Sequence, residues 1–329
     1  MIPLKTVVVT GGAGYIGSHI VRLFAEKGWR VISLDRRGTF GFQNDRIHEH
    51  ITDIRQTEAF EAIFEQYMPL DCVIHCAGEL GIARSYEETP LFYSQNVYAT
   101  ETLLNVMVKY GVRKLLYSSS AAVYPQSNTP LQESEPLEPR AMSPYSFTKY
   151  ICEEKLKLMA ELMGLDFVSF RYFNVVGCDT KDAQSVQKYL SIPNLIPALV
   201  RAAANGSAIR INGSDYDTPD GTCIRDYVDV RALAQLHFLA CEAICAPAWK
   251  KEYNGIYNAG SGQGFSVEEM IRLFESATNC RIDRTYAPRR MGDAPYLCAN
   301  ISKTKSVFSW VPDMSLSELF CGLWNHHKL

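Results

Sequence analysis

A glycine-rich turn near the start of the chain constrains the fold more than any other feature of the sequence. The β-branched run at residues 6–9 predicts a buried strand, and the apolar spacing over residues 18–26 predicts an amphipathic helix. Between them lie Gly11, Gly14 and Gly17, each three residues from the next. A strand, a glycine turn and a helix in this order bring backbone N–H groups and the positive end of the helix to one point, where a pyrophosphate can bind.

The same alternation of strand and helix continues along the first half of the chain. Further strands are predicted at residues 29–34, 48–52, 72–76, 114–118 and 167–170, with helices at 57–67 and 90–109. This order predicts an α/β fold, a doubly wound parallel Rossmann sheet covered by helices on both faces. The 47% hydrophobic composition is ample for packed cores.

The texture of the sequence changes after the last of these strands. Glycines, prolines and aspartates crowd residues 177–193 and 212–222, which predicts long loops of the kind that carry function. We therefore expect an NAD-binding domain at residues 1–175 and a smaller α/β substrate-binding domain at 176–329. A predicted helix at 229–243 is a candidate to pack back on the first domain.

Charge and composition exclude several classes of function. The net charge of −3, from 33 basic and 36 acidic residues, provides no basic field for nucleic acid or an anionic membrane. Residues 1–5 run directly into the first strand and leave no room for a signal peptide, so we expect a cytoplasmic protein. The ten cysteines, from Cys72 to Cys321, form no Cys-x-x-Cys pair, which indicates reduced, buried thiols and no metal site.

An acidic residue after the second strand indicates which dinucleotide binds. Asp35 lies eighteen residues after Gly17. A carboxylate there accepts hydrogen bonds from the adenosine ribose and repels a 2′-phosphate, so the sequence favours NAD over NADP. Arg36 and Arg37 weaken that preference, although a solvated loop is the simpler place for both.

A tyrosine and a lysine one helical turn apart suggest the chemistry. If Tyr145 opens a helix, Lys149 lies on the same face, where its ammonium stabilises a phenolate. A tyrosine that titrates near pH ~10 is a poor base at neutral pH. A nearby cation and the positive nicotinamide ring would lower its pKa and make it a proton acceptor for an alcohol that loses a hydride.

Four motifs together resemble the extended short-chain dehydrogenase/reductases. They are GGAGYIGSH at residues 11–19, SSSAAVY at 118–124, YSFTK at 145–149 and RYFN at 171–174. The segment DYDTPDGTCIRDY at 215–227, with Asn194-Leu195 before it and APRRMGD at 287–293 after it, resembles the UDP-glucose 4-epimerase family more specifically. This resemblance covers essentially the whole chain.

The resemblance implies roles for individual residues. Tyr145 would be the catalytic base, Lys149 would bind the nicotinamide ribose, and Ser120 would donate to the sugar O4. The implied cofactor-binding residues are Gly11, Gly14, Tyr15, Ile16, Gly17, Asp35, Asp53, Ile54, Asn96, Ser118, Tyr145, Lys149 and Tyr172. The implied substrate-binding residues are Ser120, Tyr145, Asn174, Asn194, Leu195, Arg225, Arg290, Asp293 and Leu297.

The reaction implied is reversible C4 epimerisation of a UDP-hexose, UDP-glucose or UDP-galactose, through a 4-keto intermediate with tightly bound NAD. The family also implies a homodimer, paired through helices near residues 90–109 and 145–162. A 4,6-dehydratase is disfavoured, because Ala121-Ala122 stands after Ser120 where that enzyme has an acidic pair. UDP-N-acetylglucosamine, UDP-xylose or arabinose, and UDP-glucuronate stay open as substrates. A catalytically silent NAD-binding regulator is a remote alternative.

Three positions depart from the family pattern. Leu80 stands where the family usually has a lysine, and Arg84 is a candidate to replace that cationic contact. The loop between Asp35 and Asp53 is shorter than usual. Leu297 occupies the position that gates sugar size, with a volume between those of tyrosine and cysteine, so the acceptance of an N-acetyl group stays open.

Overall fold

The computed structural model describes residues 4–38, 42, 44–290 and 292–327. Residues 1–3, residues 39–41 and 43 of the short loop, and Met291 of the 287–293 motif lie outside the described residues. The strands of the described part are β1 (Thr6–Thr10), β2 (Arg30–Asp35), β3 (Ile47–Ile51), β4 (Cys72–His75), β5 (Lys114–Ser120), β6 (Asp166–Tyr172), β7 (Asn174–Val176), β8 (Ile209–Asn212), β9 (Ile224–Asp229), β10 (Gly255–Ala259), β11 (Gly264–Ser266), β12 (Arg284–Ala287) and β13 (Tyr296–Leu297).

Seven of these strands form one sheet in the order β10-β6-β5-β4-β1-β2-β3, and all neighbours run parallel. The predicted doubly wound parallel sheet is therefore confirmed. Successive residues of β1 show why its sequence is apolar throughout. Val7 and Val9 pack into the core on one face of the sheet, and Val8 packs into the core on the other.

Helices cover both faces of this sheet, and further helices lie in the second part of the chain. The α-helices are α1 (Tyr15–Glu26), α2 (Thr57–Tyr67), α3 (Ile82–Glu87), α4 (Thr89–Phe92), α5 (Ala99–Lys109), α6 (Pro144–Met163), α7 (Ala183–Leu190), α8 (Leu195–Asn205), α9 (Val230–Cys245), α10 (Val267–Thr278), α11 (Ser302–Phe308) and α12 (Leu316–His327). A π-helical turn, Tyr93–Tyr98, joins α4 to α5. Among the described residues, no helix has both the length and the apolar character needed to cross a bilayer.

Two elements from later in the chain, helix α9 and strand β10, pack or pair with the large sheet. Helix α9 follows its N-cap Asp229, whose carboxylate accepts a hydrogen bond of 2.7 Å from the Arg231 amide. Its buried face, including Leu233 and Leu236, packs in the same core as Ile20 of α1. Strand β10 then pairs with β6 at the edge of the sheet. A single boundary at residue 175 therefore does not contain the large sheet, since α9 and β10 belong with it.

The second unit surrounds a core of its own, formed mainly by α7, α8, α10 and α12. Strands β7, β11 and β13 each pair with β9, and β8 pairs with β12. The predicted loop at residues 177–193 contains α7, which begins after its N-cap Asp182 and buries Val186 and Tyr189. An eight-residue helix is too short to show a clear apolar period, which is why the sequence pattern did not reveal it.

A buried ion pair fastens α6 to the sheet. Arg171 of β6 donates to Glu153 of α6 through Nε at 3.0 Å and Nη2 at 2.7 Å. The hydroxyl of Ser119, on β5, donates to the same carboxylate at 2.6 Å. The side chains of Arg171 and Glu153 are 2% and 0% exposed. One carboxylate thus joins a helix and two adjacent strands.

We expect Glu153→Gln to lower the free energy of unfolding by about 3–5 kcal/mol, because it leaves the Arg171 guanidinium buried without its counter-charge. Urea denaturation monitored by circular dichroism measures the change. The matched control is Glu154→Gln on the same helix, whose pair with Lys157 is about half exposed, and which should cost less than about 1 kcal/mol. Equal losses in the two variants would contradict the assignment.

Candidate active site

The glycine-rich turn brings two pieces of backbone into a contact that side chains would block. Gly11 has a φ of +71°, and a Cβ there would lie 2.7 Å from the Ala77 nitrogen. A Cβ on Gly17 would lie 2.1 Å from the Gly11 carbonyl oxygen. Helix α1 then begins without a side-chain cap at Gly14. The first helical amides, which have no partner within a helix, need an acceptor from outside.

These amides belong to Tyr15, Ile16 and Gly17, three of the predicted cofactor residues. Three N–H groups at a positive helix end form an anion site, and the close approach of the turn to Ala77 keeps the surface open to a pyrophosphate. The residues present therefore fit the diphosphate of NAD.

The adenosine side of this cleft is acidic. Asp35 ends β2, is buried, and accepts a hydrogen bond of 2.9 Å from the Arg37 amide. Arg36 pairs with Glu79 instead of reaching toward a ligand phosphate. Hydrogen bonds from Arg55 lower the pKa of Asp53. The surroundings of Asp35 thus agree with a ribose-binding carboxylate and with NAD.

Helix α6 presents the tyrosine and the lysine as predicted. It begins at Pro144, and the hydroxyl of its N-cap Ser143 accepts a hydrogen bond of 3.1 Å from the Ser146 amide. Tyr145 and Lys149 are 7% and 4% exposed. Lys149 Nζ donates to the Ser118 carbonyl at 2.7 Å, which ties the helix to the end of β5.

The pKa of Tyr145 differs from the sequence-based expectation. Burial raises it above the usual value, and a hydrogen bond from the Ser120 hydroxyl only partly offsets that rise. Burial also lowers the pKa of Lys149. The protein by itself therefore keeps the Tyr145 phenol protonated at neutral pH. The positive charge of a bound oxidised nicotinamide ring would lower the pKa of Tyr145 and favour the phenolate.

A chain of hydroxyls behind the tyrosine ends at a histidine. The Ser118 hydroxyl and the Tyr172 hydroxyl are 2.6 Å apart, and Tyr172 Oη lies 2.7 Å from His237 Nε2. His237 Nδ1 lies 2.9 Å from the Leu233 carbonyl, so Nδ1 carries the proton and Nε2 accepts from Tyr172. Burial lowers the pKa of His237 to about 4 and keeps it neutral. His237 is not among the residues predicted from the sequence, where its position on the apolar face of a predicted helix was the only signal.

Asn96 holds the loop after β4 against α6. Its amide exchanges hydrogen bonds of 2.7 and 3.2 Å with the backbone of Glu79 and donates at 3.0 Å to the Thr148 hydroxyl. A Cβ on Gly78 would lie 2.9 Å from Asn96 Oδ1 and 3.6 Å from Lys149 Nζ. Asn96 stands in the π-helical turn, whereas the sequence predicted one uninterrupted helix. π-turns occur often at functional sites, and no period-3.6 pattern reveals them.

A second group of predicted residues lines a cavity of about 340 Å³ within the second unit, bordered by β7, α8, β8 and β9. The substrate-binding predictions that line it are Asn174, Asn194, Leu195, Arg225, Arg290 and Asp293. Three further lining residues, Arg201, Arg210 and Asn212, were not identified from the sequence. Four guanidinium groups around one cavity suit an anionic ligand in a protein whose net charge is negative.

Backbone and side-chain contacts preset the arginines. Arg225 Nη1 donates to the Ala294 carbonyl at 2.7 Å, and Nη2 lies 3.4 Å from Asp293 Oδ1. With its amide oriented to satisfy both partners, Asn212 accepts from Arg290 Nη2 at 3.0 Å and Nε at 3.1 Å. Each guanidinium keeps N–H donors beyond these contacts, because an arginine has five.

An apolar cluster connects the cavity to Ser120. Leu297 packs against a cluster that includes Ala121, Tyr124 and Phe173. Ala121 follows Ser120 directly, and Leu297 is in register with Arg225 in the β9–β13 pair. The position predicted to gate sugar size thus lies between the arginine-lined cavity and Ser120.

The departure at Leu80 leaves an apolar side chain that is 67% exposed. Arg84, the candidate to replace the missing lysine, already pairs through its guanidinium with Glu79 at 2.8 Å and with Glu88 at 2.7 Å. Glu79 also holds Arg36, so a carboxylate flanked by two arginines borders the cofactor cleft here.

Together with the parallel sheet, these two neighbouring sites define a short-chain dehydrogenase/reductase with a separate pocket for an anionic substrate. The model of the NAD dependent epimerase/dehydratase family matches residues 7–260. The chain belongs to this family and, within it, to the UDP-glucose 4-epimerases.

Comparison with individual proteins supports this assignment. A UDP-glucose 4-epimerase from Halalkalibacterium halodurans is 38% identical, over 98% of this chain and 95% of that protein. The crystal structure of UDP-glucose 4-epimerase from Bifidobacterium longum in complex with NAD⁺ and UDP is 32% identical, covers 98% of both chains and superposes with a TM-score of 0.87. The UDP-Glc/GlcNAc 4-epimerase from Campylobacter jejuni is 28% identical, over 98% of this chain and 99% of that one, with a TM-score of 0.79.

We expect Gly17→Ala to abolish NAD retention, because its Cβ would force the Gly11 carbonyl away from α1 and open the turn. The cofactor released by acid from the purified protein, quantified by chromatography, measures the loss. Gly164→Ala is the control, since the Cβ meets nothing within 4 Å at that left-handed helix end. It should cost about 1–2 kcal/mol of stability and leave NAD content unchanged. Normal NAD content in Gly17→Ala would contradict the assignment of the turn.

Proposed function

We propose that the protein interconverts UDP-glucose and UDP-galactose by inverting C4 of the sugar. The observation that carries this proposal is the adjacency of two sites with different chemistry. Tyr145, Lys149 and Ser120 stand at the carboxyl edge of the sheet beside the NAD turn, and the arginine-lined cavity adjoins them through the Leu297 cluster. Relatives over the full chain length are UDP-glucose 4-epimerases.

Tyr145 is the residue that transfers the proton in the proposed reaction. Bound NAD supplies the hydride acceptor at C4 and, in the return step, the hydride donor. As the phenolate, Tyr145 takes the proton of the sugar 4-hydroxyl while C4 is oxidised to the ketone, and the phenol so formed returns that proton to O4 when the ketone is reduced. Ser120 lies within hydrogen-bonding reach of Tyr145. It hydrogen-bonds the sugar O4 and keeps this oxygen aligned with the phenol.

Inversion requires the nucleotide to stay bound while the sugar turns. Arg225 and Arg290 hold the diphosphate through guanidinium N–H groups, and Asp293 accepts from the uridine ribose. The wall on the sugar side is apolar, from Leu297 and Phe173, and offers few fixed hydrogen bonds. A 4-keto sugar can therefore rotate about its link to the anchored diphosphate and present its opposite face.

The residues after Ser120 argue against elimination chemistry. Ala121 and Ala122 begin the 3-10 turn Ala121–Val123, which carries no acidic or basic side chain. Ala121 is buried in the apolar cluster. A dehydratase needs an acid and a base near C5 and C6, and alanines supply neither.

We place the reaction in galactose metabolism in the cytoplasm. Interconversion of the two UDP-hexoses connects galactose with glucose. The cysteines of the described chain are unpaired, and Cys72 and Cys241 are buried in one core, which suits a reducing compartment.

We also propose a homodimer formed through α5 and α6. Leu158, Leu162 and Met163 on α6 are 51%, 72% and 44% exposed, and Tyr98 before α5 is 51% exposed. Lys155 of α6 pairs with Glu101 of α5 at 2.6 Å, so the two helices present one continuous surface. Apolar side chains at i and i+4 on a surface helix suit a two-fold partner.

The proposed reaction is tested with UDP-galactose, UDP-N-acetylgalactosamine, UDP-xylose and UDP-glucuronate, each incubated with the protein and resolved by chromatography. We expect UDP-galactose to convert fastest to its 4-epimer. Retained NAD with no turnover of any of the four would contradict the proposal and favour a silent NAD-binding protein.

We expect Tyr145→Phe to lower kcat by about 10²–10⁴-fold, since it removes the proton acceptor, and to leave NAD content unchanged. Conversion of UDP-galactose, followed with a coupled dehydrogenase, measures the change. Tyr150→Phe, on the same helix, serves as the control and should keep full activity. Substantial activity in Tyr145→Phe would remove Tyr145 from the role of base.

We expect the double variant Leu158→Glu, Leu162→Glu to have half the wild-type molar mass by light scattering, because two buried carboxylates would face each other across the two-fold axis. Leu273→Glu, which changes an exposed leucine on α10, is the control and should stay dimeric. A wild-type protein that is already monomeric would refute the proposed interface.

A further inference from the structure

A lysine from the second unit lies on the glycine-rich turn. Lys188 of α7 donates from Nζ to the Ala13 carbonyl at 2.6 Å and to the Ser18 hydroxyl at 3.3 Å. Ala13 precedes the amides that open α1, and Ser18 follows them directly. The ammonium is therefore beside the three N–H groups assigned to the pyrophosphate.

Packing between α7 and α1 holds Lys188 in this place. The rings of Tyr189 and Tyr15 stack with centroids 5.6 Å apart. About two turns earlier, the N-cap Asp182 pairs with Arg22 of α1 at 3.3 Å. The lysine thus has a stacked pair on one side and an ion pair on the other.

The electrostatic setting of Lys188 is unfavourable without an anion. A cation at a helix N-terminus is repelled by the helix dipole, and half-burial removes part of its hydration. Burial lowers the pKa of Lys188; the charge of Asp35 opposes this shift and that of Arg37 adds to it. Within the described residues, no carboxylate forms an ion pair with Lys188, whereas Arg22 on the same helix α1 pairs with Glu26, Asp179 and Asp182.

We propose that Lys188 is a cofactor-binding residue. Its ammonium joins the second unit to the glycine-rich turn and neutralises the charge of the NAD pyrophosphate. An ammonium has three N–H donors, and Ala13 and Ser18 take two of them. The third serves a phosphate oxygen in a charge-assisted hydrogen bond. The proposal rests on the assignment of NAD to this cleft and not on the identity of the sugar.

The consequence is that one helix links the two ligands. Helix α7 ends four residues before Asn194, which precedes α8 and lines the substrate cavity. NAD retention therefore depends on a residue of the unit that also holds the nucleotide sugar.

The test is the rate at which NAD leaves the holoenzyme, followed by exchange with excess labelled NAD. We expect Lys188→Met to release NAD about tenfold faster or more, as the loss of a charged hydrogen bond implies. Lys188→Arg, which keeps the charge, should release it at nearly the wild-type rate. Lys181→Met, which changes an exposed lysine just before α7, is the matched control and should be unchanged.

A further variant separates the effect of the Lys188 charge from that of its hydrogen bond to the Ala13 carbonyl. Lys188→Gln keeps an N–H donor for the Ala13 carbonyl but no charge. The proposal is supported if Lys188→Gln releases NAD fast and if high salt, which screens the ammonium, raises the wild-type release rate toward that of the variant. Wild-type release rates in Lys188→Met, or full rescue by Lys188→Gln, would overturn it. Because release is measured without any sugar nucleotide, a failure of the proposed epimerase reaction leaves this result unaffected.

Discussion

The buried ion pair between Glu153 and Arg171 is the interaction that fixes helix α6 on the sheet. Helix α6 carries Tyr145 and Lys149, and the Glu153 carboxylate joins that helix to β5 through Ser119 and to β6 through Arg171. Ser120 and Tyr172, the residues that follow in the two strands, are the ones for which we propose roles in catalysis and in cofactor binding. A buried carboxylate that is bonded on both oxygens permits little rotation of the helix, so the distance from the phenol to the serine hydroxyl is set by the core.

The two ligand sites differ in rigidity in a way that suits epimerisation. Around NAD, backbone amides and buried side chains are held by contacts such as those of Asn96 with Glu79 and Thr148. Around the substrate, the arginines at the diphosphate end are preset by Ala294 and Asn212. The end beside Ser120 is an apolar wall instead. Preset polar groups at one end and an apolar wall at the other are what the proposed rotation of the sugar about an anchored diphosphate requires.

Particular residues show how far sequence patterns reach. The alternation of apolar runs predicted the strands of the large sheet up to β6 to within one or two residues, because strand and helix periods are local properties. It could not place β10 beside β6, which are about eighty residues apart, since pairing depends on which edge is free. It also missed the π-turn around Asn96 and the short helix α7, where too few residues repeat to make a pattern.

The sequence by itself determined the glycine-rich turn and the tyrosine–lysine spacing, because each is a short segment whose chemistry follows from its own residues, and segments 215–227 and 287–293 carried the resemblance to the family. The tertiary structure alone decided three other properties. Burial raises the pKa of Tyr145 in the chain without cofactor, whereas the decrease predicted from the sequence combines Lys149 with an oxidised nicotinamide ring. Packing placed His237 behind Tyr172 and Lys188 over the glycine turn. Desolvation and contacts with residues distant in sequence set these properties, and the residues next to a position in the chain do not predict either of them.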